Sequence, residues 1–134
     1  MTIEDIFGLE PGAGGLHNLI NLHTAVINEQ GLFSLKLEIT EQLLNPKGTA
    51  HGGILFALCD SAVGSYIALQ KKWAVTLDST IHFFRPACTG DVLTATVIER
   101  KTGRTVSTFL VEVHNEQEQH IADAVFTMFY TKGE

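Results

Sequence analysis

The sequence is 134 residues long, 45% apolar and 18% charged, with a formal net charge of −6. One domain fits that length, expected over residues 1–134 with 1–17 as an N-terminal extension, and it can bury a core without disulfides or a metal. The acidic balance argues against a nucleic-acid partner or a polybasic membrane surface. Two cysteines, Cys59 and Cys88, are too few for a disulfide scaffold and fit a reducing cytoplasm.

Taken in order, the chain opens on MTIEDIFGLEPGAGG, which carries acidic groups and lacks the apolar stretch of a signal peptide. Ile3, Ile6, Phe7 and Leu9 predict a short helix ended by Pro11-Gly12, and the glycines after it read as a flexible connection without a ligand loop. Period-two alternation predicts strands over 19–27 and 33–40, joined by a turn at 28–31. A long apolar helix follows over 52–69, with Ile54, Leu55, Leu58, Ala62, Tyr66 and Leu69 on its packing face and Lys71-Lys72 at its end. It has no charged face, so it is expected to be enclosed; its shortness and its one carboxylate argue against a bilayer span. Strands are predicted over 74–85, 92–100, 104–113 and 120–131, the last apolar on both faces. With a single crossing helix, the economical architecture is α+β: a mainly antiparallel sheet wrapped around one long central helix. High apolar content and that two-faced strand imply association with further copies.

The start of the long helix is the first candidate for chemistry. Asn45, Gly48, Thr49 and His51 precede Gly52 and Gly53. The first N–H groups of a helix lack internal partners and sit at the positive end of its dipole. Two residues without side chains let a carbonyl oxygen approach those donors, as an oxyanion hole requires; close packing of the helix on the sheet would equally call for glycine. Asp60 is the second candidate. A carboxylate in an apolar helix is expensive unless hydrogen-bonded or shifted in pKa. It is then either a base or nucleophile, or a group tied to a neighbouring hydroxyl or a water-filled gap. Eight residues of helix span about 12 Å, so Asp60 cannot reach a carbonyl held at Gly52 of its own chain. An antiparallel second copy would bring them together, and the small residues Ala57, Ser61 and Gly64 permit that approach. The expected site is shared across a two-fold axis, two per dimer.

The string NPKGTAHGGILFALCDSA resembles the signature of hot-dog-fold acyl-CoA thioesterases of the phenylacetate-degradation (PaaI-like) type. The HGG, separated by six residues from an Asp, and the later LDSTIHFFRPA add to the likeness, which runs from about Leu19 to Thr131. The resemblance implies the hot-dog fold and hydrolysis of an aryl- or short/medium-chain acyl-CoA to free acid and CoA. It assigns the Gly52 N–H to polarising the thioester carbonyl and gives Asn45 a hydrogen bond near it. Asp60 of the other subunit would activate water or attack directly, and Thr76 would orient the water. His51 would hold the loop or stand beside the water site. No separate cofactor is implied, since coenzyme A belongs to the substrate, and the homodimer is expected to pair into a homotetramer.

The remaining residues are read as follows. Arg85, Lys101 and Arg104, at a strand end and a hairpin turn, are candidates for the CoA phosphates. Gly53 joins the helix-start site, and Phe56, Tyr66, Trp73 and Phe83 are the nearest large side chains for an acyl pocket. Cys59 reads as core. No HxxxH, HxH or CxxC pattern suggests a metal, and no GxSxG elbow suggests a serine hydrolase. A non-catalytic acyl-CoA-binding sensor and an acyl-CoA hydratase or dehydratase are the competing readings.

Overall fold

The computed structural model describes residues 1–132. Its elements are helices α1 (Ile3–Phe7) and α2 (Leu16–Leu19), strands β1 (Thr24–Ile27) and β2 (Phe33–Glu38), and the long helix α3 (Gly52–Leu69). Strands β3 (Trp73–Phe83), β4 (Val92–Lys101), β5 (Val106–His114) and β6 (His120–Thr131) follow. All six strands form one antiparallel sheet in the order β1-β2-β4-β5-β6-β3, which curls around α3 as the sequence predicts.

Two expectations need correcting. The strand expected over 19–27 is shorter: residues 16–19 are helical and only 24–27 pair. The left-handed turn at Asn21 (φ 59°) breaks the extended run, and Ile20 and Leu22 enter the core from a helix end and a loop. Nor is α3 enclosed by its own chain. Leu55, Leu58, Cys59, Ala62, Val63, Ser65 and Ile67 are buried, but Leu69 is exposed. Ile54, Ala57, Asp60, Ser61, Gly64 and Ala68 are half-buried, and Gly53 is exposed. By length and composition α3 would pass as a bilayer span; here it packs against the sheet. Each large aliphatic side chain buried on that face contributes about 1.5–3 kcal/mol relative to exposure.

Both faces of β6 are apolar, as the alternation predicts. Ala122, Ala124, Phe126 and Met128 lie buried under α3, while Val125 and Phe129 remain exposed on the outer face. In β3 the register slips between Thr76 and Asp78. This bulge at Leu77 puts Thr76 (opposite Met128) and Ser79 (opposite Phe126) on the same, helix-facing side. Strict alternation would have sent residues three apart to opposite faces.

Candidate active site

His51 caps the start of α3. It is extended (φ −63°, ψ 135°), and its Nδ1 accepts the Gly53 N–H at 2.8 Å. The imidazole therefore uses one donor of the first turn, and the Gly52 N–H has no acceptor among the described residues. A Cβ on Gly52 would sit 3.3 Å from the Phe83 ring, which lies over the helix start. Asn45 braces the preceding turn: its Oδ1 accepts the Lys47 and Thr49 N–H groups and its Nδ2 donates to Thr49 Oγ1 at 3.0 Å. One amide hydrogen remains for a ligand. Asn45, Gly52, Phe83, Arg85 and neighbouring residues line an open cleft of about 360 Å³.

Asp60 lies further along α3 on its half-buried face. Its Oδ1 accepts a hydrogen bond from Thr76 Oγ1 at 2.8 Å, and Oδ2 accepts none among the described residues. The carboxylate thus has the hydroxyl partner that the cautious reading required, with one oxygen still available. It opens into a second cavity, of about 380 Å³, between α3 and the N-terminal segment. Cys59, its neighbour, is fully buried as expected, and burial pushes its thiol up to about 12 with help from the Asp60 charge. Ser79 Oγ, on the same face as Thr76, is buried without a hydrogen-bond partner among the described residues.

The large and basic candidates separate. Of the aromatics only Phe83 adjoins Gly52. Phe56 packs on Phe126 with centroids 5.5 Å apart. Tyr66 packs between Phe33 and Phe109 and its hydroxyl donates to Glu99 at 2.8 Å; burial and then Glu99 raise its pKa. Neither lines either cavity of the single chain; in this structure both tie α3 to the sheet. Arg85 joins Gly52, whereas Arg104 lies at the far end of α3 in a groove with Lys71, Lys72 and Trp73. Lys101 closes β4 opposite Thr108.

Residues 1–20 do more than their sequence pattern predicts. They fold back on α3: the glycine-rich stretch read as a connection supplies Gly14 to a cavity wall, and α2 directly follows it. Glu4 accepts a hydrogen bond from His23 Nδ1 at 2.7 Å, with His17 Nε2 3.3 Å from the same oxygen. Ligand-type atoms of these three residues lie within 4.8 Å of one another, a donor set able to hold a divalent transition metal. The wide sequence spacing of the three hides the cluster from motif reading; a hydrogen bond joins His23 to Glu4, while His17 Nε2 is buried with no hydrogen-bond partner among the described residues.

A family model described as the thioesterase superfamily matches residues 47–122. The chain is 35% identical, over 70% of its length and 67% of the relative's, to the acyl-coenzyme A thioesterase PaaI of Escherichia coli. The structure of that protein superposes with a TM-score of 0.81 at 27% identity, covering 90% of this chain and 86% of that one. A Streptococcus mutans protein bound to acetyl CoA is 36% identical (TM-score 0.74, 80% and 86% covered). A hypothetical thioesterase of Streptococcus pneumoniae with coenzyme A is 31% identical (TM-score 0.75, 81% and 84% covered). Variants of the pneumococcal protein carry alanine for one aspartate and for one threonine, sixteen positions apart. The chain spans 61% to 67% of the length of the curated relatives it matches.

The chain belongs to the thioesterase superfamily. Within it, this is a hot-dog thioesterase of the PaaI-like kind that the NPKGTAHGG…D segment resembles.

Proposed function

We propose that the protein hydrolyses acyl-CoA thioesters to a free acid and coenzyme A, in a site completed by a second copy of the chain. One observation carries this: a single half-exposed face of α3 presents an unused amide donor at Gly52 and an open carboxylate at Asp60. They stand about 12 Å apart along the helix, beside an uncovered sheet edge. An antiparallel pair of helices sets Asp60 opposite Gly52 of the partner subunit. The acyl-CoA class draws support from the relatives that hold CoA or acetyl CoA. The Asp60–Thr76 pair also shares the sixteen-residue spacing of the aspartate and threonine replaced in the pneumococcal protein.

In this reading the thioester oxygen accepts the Gly52 N–H at the positive end of the helix dipole. Water attacks the carbonyl carbon while Asp60 takes its proton, and Thr76 holds the carboxylate in place. The tetrahedral intermediate collapses, the C–S bond breaks, and the proton passes to the departing thiolate. Arg85 faces the phosphate end, and the groove at Arg104 overhangs the partner's helix start in a head-to-tail pair, with Lys101 nearby on β4. The reaction needs no cofactor of its own.

Asp60→Asn is expected to lower thiol release by at least about 100-fold, the usual contribution of a positioned base. Gly52→Pro removes the N–H at a helix position that tolerates proline and should cost about 10²–10³. A shared site makes a sharper demand. Subunit exchange between these two inactive variants should restore roughly a quarter of the wild-type sites, because each mixed dimer rebuilds one. Mixing without recovery would show that each chain acts alone.

Val75, Phe129 and Val106 are cross-strand partners exposed on the outer face of the sheet. That apolar row is proposed as a second contact that pairs dimers into a homotetramer; sedimentation of Phe129→Lys should then give dimers. Two free cysteines fit a cytoplasmic protein, which recovery in the soluble cytoplasmic fraction with both thiols reduced would check.

A further inference from the structure

The cavity at Asp60 differs from the cleft at Gly52 in what lines it. Ile3, Phe7, Leu9 and Leu16 supply apolar walls from the N-terminal segment, and Asp60, Ser61 and Gly64 supply the α3 side. No Lys or Arg borders it, whereas Arg85 borders the helix-start cleft. An acyl-CoA is similarly unequal, with an anionic nucleotide at one end and an uncharged chain or ring at the other. A substrate whose carbonyl meets Asp60 has its acyl group beside this cavity.

We infer that residues 1–17 form the acyl subsite and set acyl selectivity, an inference that rests on Asp60 being the acting carboxylate. At about 380 Å³, the cavity falls in the range of small-molecule sites and far exceeds an acetyl group. It therefore selects neutral, apolar acyl groups, medium-length chains or those bearing an aryl ring, and disfavours acetyl and dicarboxylic acyl groups.

The wall is built rather than incidental. The Ile3 N–H donates to His23 O at 2.8 Å, the Ala25 N–H to Met1 O at 2.9 Å, and the Leu22 N–H to His17 O at 2.7 Å. Glu4 is held by His23 from the following strand region, and the Phe7 ring tilts against Trp73 of β3. Gly14 is left-handed at φ 103°, and a Cβ there would collide with the His17 ring and Leu9, both of which line the cavity. The Leu9 N–H donates to Glu4 O at 2.9 Å, which ties Leu9 to this frame and makes it the specificity-determining residue of the wall.

The test uses a series of acyl-CoA substrates together with the corresponding thioether analogues, which cannot be hydrolysed. For the wild-type protein, kcat/KM and analogue affinity should both rise about fourfold per methylene from butyryl to octanoyl, the transfer free energy of one buried CH₂. Leu9→Trp fills the cavity and should lower the octanoyl-to-butyryl ratio at least about tenfold. Leu9→Ala enlarges it and should move the optimum to longer chains. A variant that merely folds poorly lowers all substrates together and leaves the ratio alone. Ratios unchanged in both variants, or a flat wild-type series, would overturn the subsite while leaving thioester hydrolysis standing. Analogue affinities that follow the expected series without any thiol release would keep the subsite and overturn the hydrolytic reading.

Discussion

The two edges of the sheet are finished in opposite ways. At one, β1 is four residues long and the chain's own N-terminus covers it: Thr2 bridges Thr24, and the Ala25 N–H donates to Met1 O. At the other, β3 runs for eleven residues with no strand beyond it among the described residues. Trp73, Val75 and Leu77 are 48%, 51% and 58% exposed there, and Asp78 is the strand's one acidic or basic residue apart from His82. Soluble proteins blunt such edges with lysine, proline or short strands, because an open apolar edge recruits another chain. This molecule protects one edge and leaves the other available. The available edge is also the one carrying Thr76, whose hydroxyl holds Asp60. In the proposed assembly, subunit contact and chemistry share that strand, while the segment that covers the β1 edge also walls the Asp60 cavity.

The largest expected effect comes from giving β3 the charge that other edges carry. Val75→Lys with Leu77→Lys should yield a folded monomer by sedimentation and reduce thiol release at least as far as Asp60→Asn, about 100-fold or more. A monomer with wild-type turnover would mean that no shared site exists. A smaller loss is expected at Thr76. Hydrogen bonds to charged groups contribute about 1.5–3 kcal/mol, so Thr76→Ala should lower kcat by about ten- to a hundredfold without changing assembly, and Thr76→Ser should recover most of it. Full activity in Thr76→Ala would reduce that bond to packing.

The same contrasts separate what is legible in the sequence from what is not. The long helix and most of the strand sequence follow from periodicity and composition, since period and apolar spacing are local properties of the chain; so do the glycines at the start of α3 and the carboxylate within it. Thr76 came from resemblance; period two cannot place it, because the Leu77 bulge resets the alternation and a bulge has no signature in apolar spacing. Tyr66 shows the converse failure. As a large side chain near the expected site it reads as a pocket candidate, but its hydroxyl finds Glu99, far away in sequence on β4. The N-terminal wall was missed for a related reason. Ile3, Phe7 and Leu9 do read as one apolar helix face, but what that face covers depends on Glu4 meeting His23 and on left-handed glycines. No window of fifteen residues contains those partners.

The covered edge allows the smallest and most specific perturbation. Hydrogen bonding to its own backbone N–H, then the His23 bond and the charges of His23 and His17, hold the Glu4 carboxyl below its ordinary value of 4.5. A carboxylate whose folded pKa is depressed stabilises the fold above the ordinary pKa, and that stability is lost as pH falls through the depressed value. The wild-type melting temperature should therefore decline in acid below about pH 4.5 more steeply than that of Glu4→Gln, which has no proton to take up there. Above that pH the two curves should run parallel, with Glu4→Gln the lower because the His23 bond then meets a neutral partner. Because Glu4 lies on the covered edge and touches neither Asp60 nor β3, the variant should remain as associated as wild type. Parallel curves through the acid range would show that the N-terminus is held on β1 by its backbone bonds and apolar face alone.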